Sequence, residues 1–304
     1  MLLIKLGTFN LLQFVEPPYS WYTKKDKFND RQWLEKTTWV KNQIVKMDCD
    51  IIGFQEVFSR KALKSIVQDL GFKYFKIVDA AQLSSTNIYT YTSTTVALAS
   101  KYPISNIQEI KDDCNFSRIP IKATITFPNN QEFLVYVCHL KSNRLNELEH
   151  KFNKSHSLEH KKELVLNDFE NDRCMALKQR VDEASTLFYD IENSKAKPTI
   201  LLCDLNDKEF SITIDALSNP KYHDDKSEDN FVLYDASYQY NQEIKRKPTS
   251  YFVGKGDVLD YIFISNDFNV TNFSIYDDHL KENKNGSLLT SDHAQVICEL
   301  TFTN

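Results

Sequence analysis

The chain has 304 residues, 41% of them hydrophobic, and a formal net charge of −5. That length can bury one large core or two. The acidic balance excludes a polyanion binder held by net charge alone, and leaves local basic patches open. No apolar run approaches the roughly 18 residues that a bilayer span needs. Residues 1–7 turn polar too soon for a signal peptide, so a cytoplasmic protein is expected. Six cysteines (Cys49, Cys114, Cys138, Cys174, Cys203 and Cys298) are scattered without a CxxC, which favours a reducing compartment. Cys138, Cys203 and Cys298 sit inside apolar runs, where a thiol behaves as a small buried hydrophobe.

Residues 2–10 read as a buried strand ending at Asn10. Over 31–47, Trp33, Leu34, Trp39, Val40, Ile44 and Val45 recur at helical spacing. A second strand over 51–55 ends at Glu56, and a helix over 61–70 stops at Gly71, a left-handed terminator. Strands are predicted over 72–78, 88–91, 94–99, 119–127 and 133–138, the last two joined by a turn at 128–130. Residues 141–172 are charged and Asn-rich, an insertion long enough to face a substrate. A helix over 173–191 shows Met175, Leu177, Val181, Ala184, Leu187 and Phe188 on its apolar side. Strands over 199–203, 231–234, 261–264 and 294–302 complete the chain. With no repeat and no Gly/Ser-rich linker, a single domain over 1–304 is expected.

Polar residues recur at the ends of these apolar runs: Asn10, Glu56, His139, Asp204 with Asn206, Asp260, and Asp292 with His293. Taken singly, each has a plain structural reading. Asn10 can cap a turn, Asp204-Leu205-Asn206 can be an Asx turn, and His139 can be a satisfied core histidine. Asp204 and Asn206 flank an inward-pointing Leu205, so an extended backbone puts both on one side. Together the residues supply what phosphoester hydrolysis needs. Oxygen donors suit a hard cation such as Mg²⁺, and a carboxylate with imidazoles can handle a water and a departing oxygen. No cysteine accompanies them, which argues against structural zinc.

Secondary candidates carry less. His156 and His160 lie four apart, but lysines at 154, 161 and 162 would repel a cation. Lys245, Arg246 and Lys247 precede Tyr251 and Phe252, a mix that suits a nucleic-acid backbone and its bases. Trp21, Tyr22, Phe28 and Trp33 either line the entrance near Asn10 or pack in the core.

The order of these segments resembles the deoxyribonuclease-like endonuclease/exonuclease/phosphatase superfamily. The stretches are TFN at 8–10, DIIGFQEV at 50–57, SKYPI at 100–104, FSRIPI at 116–121, VYVCHLKSN at 135–143, ILLCDLND at 200–207, LDYIFIS at 259–265 and SDHAQV at 291–296. The resemblance implies an α/β, four-layer sandwich of two stacked mixed β-sheets flanked by helices, with the site at one sheet edge. It implies Glu56 as the principal ligand of Mg²⁺ (or Mn²⁺), supported by Asn10 and Asp292. Asp204 and Asn206 would position water and a phosphoryl oxygen, with a share in metal binding. His293 would act in acid–base chemistry, oriented by Asp260, with His139 on the opposite side of the phosphate. Arg118 and Asn143 would contact phosphate.

Some positions depart from the family pattern. Cys203 replaces a glycine, and the stretch near Tyr91 has no carboxylate to orient His139. Lys208 stands where the inositol-polyphosphate phosphatases have arginine. The implied activity is a metal-dependent phosphodiesterase acting on nucleic acid. The alternatives are a phosphatase or phospholipase working on a phosphorylated small molecule or lipid headgroup, and a non-catalytic binding protein.

Overall fold

The computed structural model describes residues 3–110, 115–143, 152, 155–223, 231–241, 246–252, 255–282 and 287–303. Two six-stranded sheets face each other. In spatial order the first comprises Phe268–Tyr276, Gln295–Phe302, Leu3–Phe14, Ile51–Val57, Thr95–Ser100 and Tyr74–Lys76. The second runs Tyr234–Asp235, Asp260–Ile264, Thr199–Asp204, Glu132–His139, Ile121–Thr126 and Ile104–Glu109. Each sheet is mixed, with one parallel pair at its centre: Leu3–Phe14 with Ile51–Val57, and Glu132–His139 with Thr199–Asp204.

The central strands are apolar on both faces because both faces are covered. Alternate residues Ile4, Leu6 and Ile51 meet Val135, Val137, Ile200, Leu202, Ile262 and Ile264 between the sheets. Their neighbours Ile52, Phe54, Ala97 and Ala99 point outward to Val40, Ile44, Leu63 and Val67 on helices Asp30–Met47 and Arg60–Asp69. On the other side Tyr136, Leu201 and Phe263 pack under Leu177, Val181, Leu187 and Ala216 of helices Met175–Asn193 and Ile212–Ser218. This is the four-layer α/β sandwich expected. The sheets come close at Gly53, where a Cβ would lie 2.9 Å from Leu202 Cβ and 3.1 Å from Val137 Cγ1.

Edge strands depart most from the sequence reading. Ile104–Glu109 has its apolar residues three apart, and the alternation of Phe268–Tyr276 is broken by a bulge between Val270 and Asn272, so period-2 patterning did not reveal them. The strands expected over 72–78, 88–91 and 231–234 shrink to Tyr74–Lys76, Thr90–Tyr91 and Tyr234–Asp235. The charged stretch contains a helix, Leu158–Glu170, while residues 144–151 and 153–154 lie outside the described residues. Met175, expected on an apolar face, is exposed at the first turn of its helix. Cys49, Cys138, Cys174, Cys203 and Cys298 are free and buried, and Cys114 lies outside the described residues. Among the described residues, no helix is long and apolar enough to cross a membrane.

Candidate active site

Register delivers the polar residues to one edge of the sandwich. In the second sheet His139 and Asp260 are the lateral partners of Asp204, so three strand ends bring three titratable groups side by side. In the first sheet Asn10 pairs with Gln55, beside Glu56, and the strand that follows Ser291, Asp292 and His293 pairs with Leu3–Phe14. The Ser291 hydroxyl donates to Asn10 O at 2.7 Å, which stitches the last segment to the first.

Across the gap Asn10 Nδ2 donates to Asp204 Oδ2 at 2.8 Å. The other oxygen, Oδ1, accepts the Asn206 amide at 2.8 Å. His139 Nε2 lies 3.4 Å from Asp204 Oδ2, and its Nδ1 is buried without a partner among the described residues. His293 Nδ1 is 2.8 Å from Asp260 Oδ2 and 3.9 Å from Asp204 Oδ2. Asp260 Oδ2 also accepts the Thr249 hydroxyl at 2.7 Å. Asp260 and Asp204 thus both lie beside the same ring nitrogen of His293. Asn206 differs from expectation. Its φ is 51°, so the chain is not extended there, and its side chain turns to Leu140 O at 3.0 Å.

The electrostatics separate the two imidazoles. Burial holds His139 well below the usual histidine range, and Arg118, His293 and Lys141 add to this, so it is neutral. Burial also pushes His293 down, but Asp260, Asp204, the hydrogen bond to Asp260 and Asp292 together outweigh it and raise it well above that range. Asp204 is pushed up to about 7 by burial, reinforced by Asp260 and opposed by His293, Asn10 and the Asn206 amide. Neighbouring groups with opposed shifts are what acid–base chemistry near neutral pH requires.

Glu56 sits at φ 58° and accepts the Gln13 amide at 2.8 Å through Oε2. Asp292 Oδ1 lies 3.9 Å from His293 Nε2. Lys36 is 0% exposed, its Nζ donates to Thr290 O at 2.6 Å, and burial pushes it down to about 7 against the opposing charges of Glu56 and Asp292. Asp292 Oδ1, Asp260 Oδ1 and Gln13 Oε1 are buried acceptors with no donor among the described residues. An all-oxygen set with unmet acceptors fits a hard divalent cation. Asp204, Asp260 and His293 also offer ligand atoms within 4.8 Å of one another. Several of those atoms are already engaged in hydrogen bonds, which leaves the Glu56–Asp292 side as the freer oxygen set.

Arg118 donates to Leu140 O at 2.8 Å and Ser142 Oγ at 3.0 Å, and its guanidinium meets the Tyr22 phenol. Asn143 is exposed and lines a small cleft with Arg180, Asp207 and Lys208. The basic patch reading fails at Arg246, which is buried in an ion pair with Asp235 and lies over the Tyr261 ring, while Lys245 is outside the described residues. His156 and His160 rings stand 4.8 Å apart, with His160 Nδ1 3.6 Å from Glu163. Trp21 and Phe28 are core, whereas Tyr22 is half exposed.

Two supports escaped the sequence reading. Glu183 accepts the Ser117 and Lys141 amides at 2.6 and 2.7 Å, clamping the segments next to Arg118 and His139. Arg180 donates to Asp207 at 2.9 Å. Both are buried charges on the inward side of helix Met175–Asn193, between Leu177, Val181 and Ala184, and that pattern is a readable signal. Thr249, which accepts the Leu259 and Asp260 amides, carried none.

A two-sheet sandwich with carboxylates, carboxamides and imidazoles at one edge defines a phosphoesterase fold. The chain belongs to the endonuclease/exonuclease/phosphatase family, whose sequence profile matches residues 7–293. The fold of this family and the Asp204–Asp260–His293 cluster point to a divalent metal. Similar solved structures include the human Nocturnin catalytic domain with bound sulfate (18% identity, 99% of this chain and 95% of that one, TM-score 0.63). A humanized D. rerio TDP2 is also similar (11% identity, 98% and 99%, TM-score 0.63). A Bacteroides thetaiotaomicron mannosyl-6-phosphatase follows at 16% identity (98% and 100%, TM-score 0.58). No curated protein sequence matches the chain.

Proposed function

We propose that the chain is a divalent-metal-dependent phosphodiesterase acting on nucleic acid, built as one domain over residues 1–304. The observation that carries this reading is the buried Asp260–His293–Asp204–Asn10 run, which joins both sheets at one edge. Glu56, with Asn10 and Asp292, would hold Mg²⁺ (or Mn²⁺). When bound, that ion supplies neutralisation of phosphoryl oxygens.

The chain's own groups account for the rest. The Asp204 carboxylate, between Asn10 and the Asn206 amide, orients a water for in-line attack and accepts its proton. His293, held cationic by Asp260 and Asp204, donates a hydrogen bond as negative charge develops on phosphorus-bound oxygen. His139 is neutral and contacts the phosphate through Nε2 from the other side. Asn206 helps hold a phosphoryl oxygen, while Arg118 and Asn143 bind flanking phosphates. Arg118 has the better support, because its fork lies next to the half-exposed Tyr22.

The test is a panel of plasmid, single-stranded oligonucleotides, RNA, sphingomyelin and inositol phosphates, each incubated with Mg²⁺ and with chelator. Metal-dependent cleavage of nucleic acid is expected. Exclusive turnover of the lipid or the inositol phosphates would replace the substrate class, and inertness toward all of them would overturn the enzyme reading.

A further inference from the structure

Tyr22 is 54% exposed and holds φ 58°, a left-handed conformation that a bulky residue adopts at a cost. Burial does not explain it. Its neighbour Trp21 fills the core against Phe28, with ring centroids 5.2 Å apart, and Tyr22 is turned out beside Arg118 and the charge of Glu56. The turn is held by Tyr22 N donating to Tyr91 O at 2.7 Å and Trp21 N to Asp26 O at 3.0 Å.

From Tyr22 a file of rings leads away. Tyr22 meets Phe58 at 6.1 Å, Phe58 meets Tyr91 at 5.6 Å, Tyr91 meets Tyr19 at 5.3 Å and Tyr19 meets Tyr89 at 6.0 Å. Phe58 is the buried floor, and Tyr89 is 51% exposed. At the far end an open cavity of about 440 Å³ is lined by Pro18, Ser20, Lys24, Lys27, Asn87 and Tyr89. Some exposed lysines face a carboxylate, as Lys46 and Lys281 do. Lys24 and Lys27 have no ion-pair partner among the described residues.

We propose that this surface is a binding site for a single nucleic-acid strand running outward from the scissile phosphate. Bases stack on Tyr22 and Tyr89, and a following phosphate meets Lys24 and Lys27. The inference rests on the phosphodiesterase reading and narrows its substrate. Exposed rings with unpaired cations beside the far one suit a strand whose bases and phosphates alternate. A sugar phosphate or a lipid headgroup offers no aromatic ring to stack on either tyrosine.

The experiment compares Mg²⁺-dependent kcat/KM on bis-p-nitrophenyl phosphate, a dinucleotide and single-stranded oligonucleotides of increasing length. In the wild type, kcat/KM is expected to rise with length and then level off. Tyr89→Ala and the double variant Lys24→Glu/Lys27→Glu should each lower the ratio of long to short substrate by roughly 10- to 100-fold, the range of one stacked base. Their thermal midpoints should stay unchanged, and Lys24→Arg/Lys27→Arg should restore the ratio. Tyr22→Ala should behave like Tyr89→Ala, and the lysine variants keep the test open if it misfolds. A ratio unchanged in every variant, or no length dependence in the wild type, overturns the strand site. Absence of any Mg²⁺-dependent hydrolysis of bis-p-nitrophenyl phosphate by the wild type instead overturns the phosphodiesterase reading itself.

Discussion

A carboxyl with no water around it and a second carboxyl next to it resists ionisation, and Asp204 is pushed up to about 7 on those grounds. Because the folded value lies above the unfolded one, the native state holds its proton while the unfolded chain releases it. Stability is therefore lost as pH rises from about 4 towards 7, and the loss is complete above that. Asp204→Asn removes this term. In metal-free protein, the variant's thermal midpoint relative to wild type should climb across that pH window, and a constant offset would contradict the assignment. The same substitution should abolish most turnover, as should His293→Ala, each by roughly 10²–10⁴ in kcat. Near-normal rates in either would remove the roles given to them. Asp204, His293 and Asp260 were legible because each breaks an apolar run. Lys36 was not, since a lysine on an otherwise polar helix turn looks solvated until the fold covers it.

Helix Asp30–Met47 shows how an element carries a site it does not join. Its capping box, with Asn29 and Gln32 each accepting the other's backbone amide, fixes where it starts. Its length then places Lys36 under Thr290. Lys36→Met should free the 287–293 segment, seen as faster amide exchange there and a roughly 10- to 100-fold lower kcat, with partial recovery in Lys36→Arg. Slow exchange with full activity would count against the tie. Between the sheets, Gly53→Ala should cost about 1–3 kcal/mol, read from denaturant midpoints, because Leu202 and Val137 leave its Cβ no room. Central strands were readable from apolar runs that need two covered faces. Ile104–Glu109 was not, because its apolar residues Ile104 and Ile107 stand three apart among polar ones, a pattern that a loop can share. Asn206 was misjudged for a related reason, since spacing cannot distinguish an extended residue from one at φ 51°.

At the scale of the molecule, the sheets present their polar ends to each other across one rim, so a cation bound there would link both halves of the sandwich. Mn²⁺ at about 100 times its Kd should raise stability by about 2.7 kcal/mol by mass action, reversed by chelator. Glu56→Gln should abolish the shift in thermal midpoint, and a full shift in that variant would move the metal elsewhere. The rim is closed by the bond from Ser291 to Asn10, 281 positions apart in sequence. A ribosome adds Ser291 long after Asn10. A chain cut short before Ser291 therefore cannot close this rim.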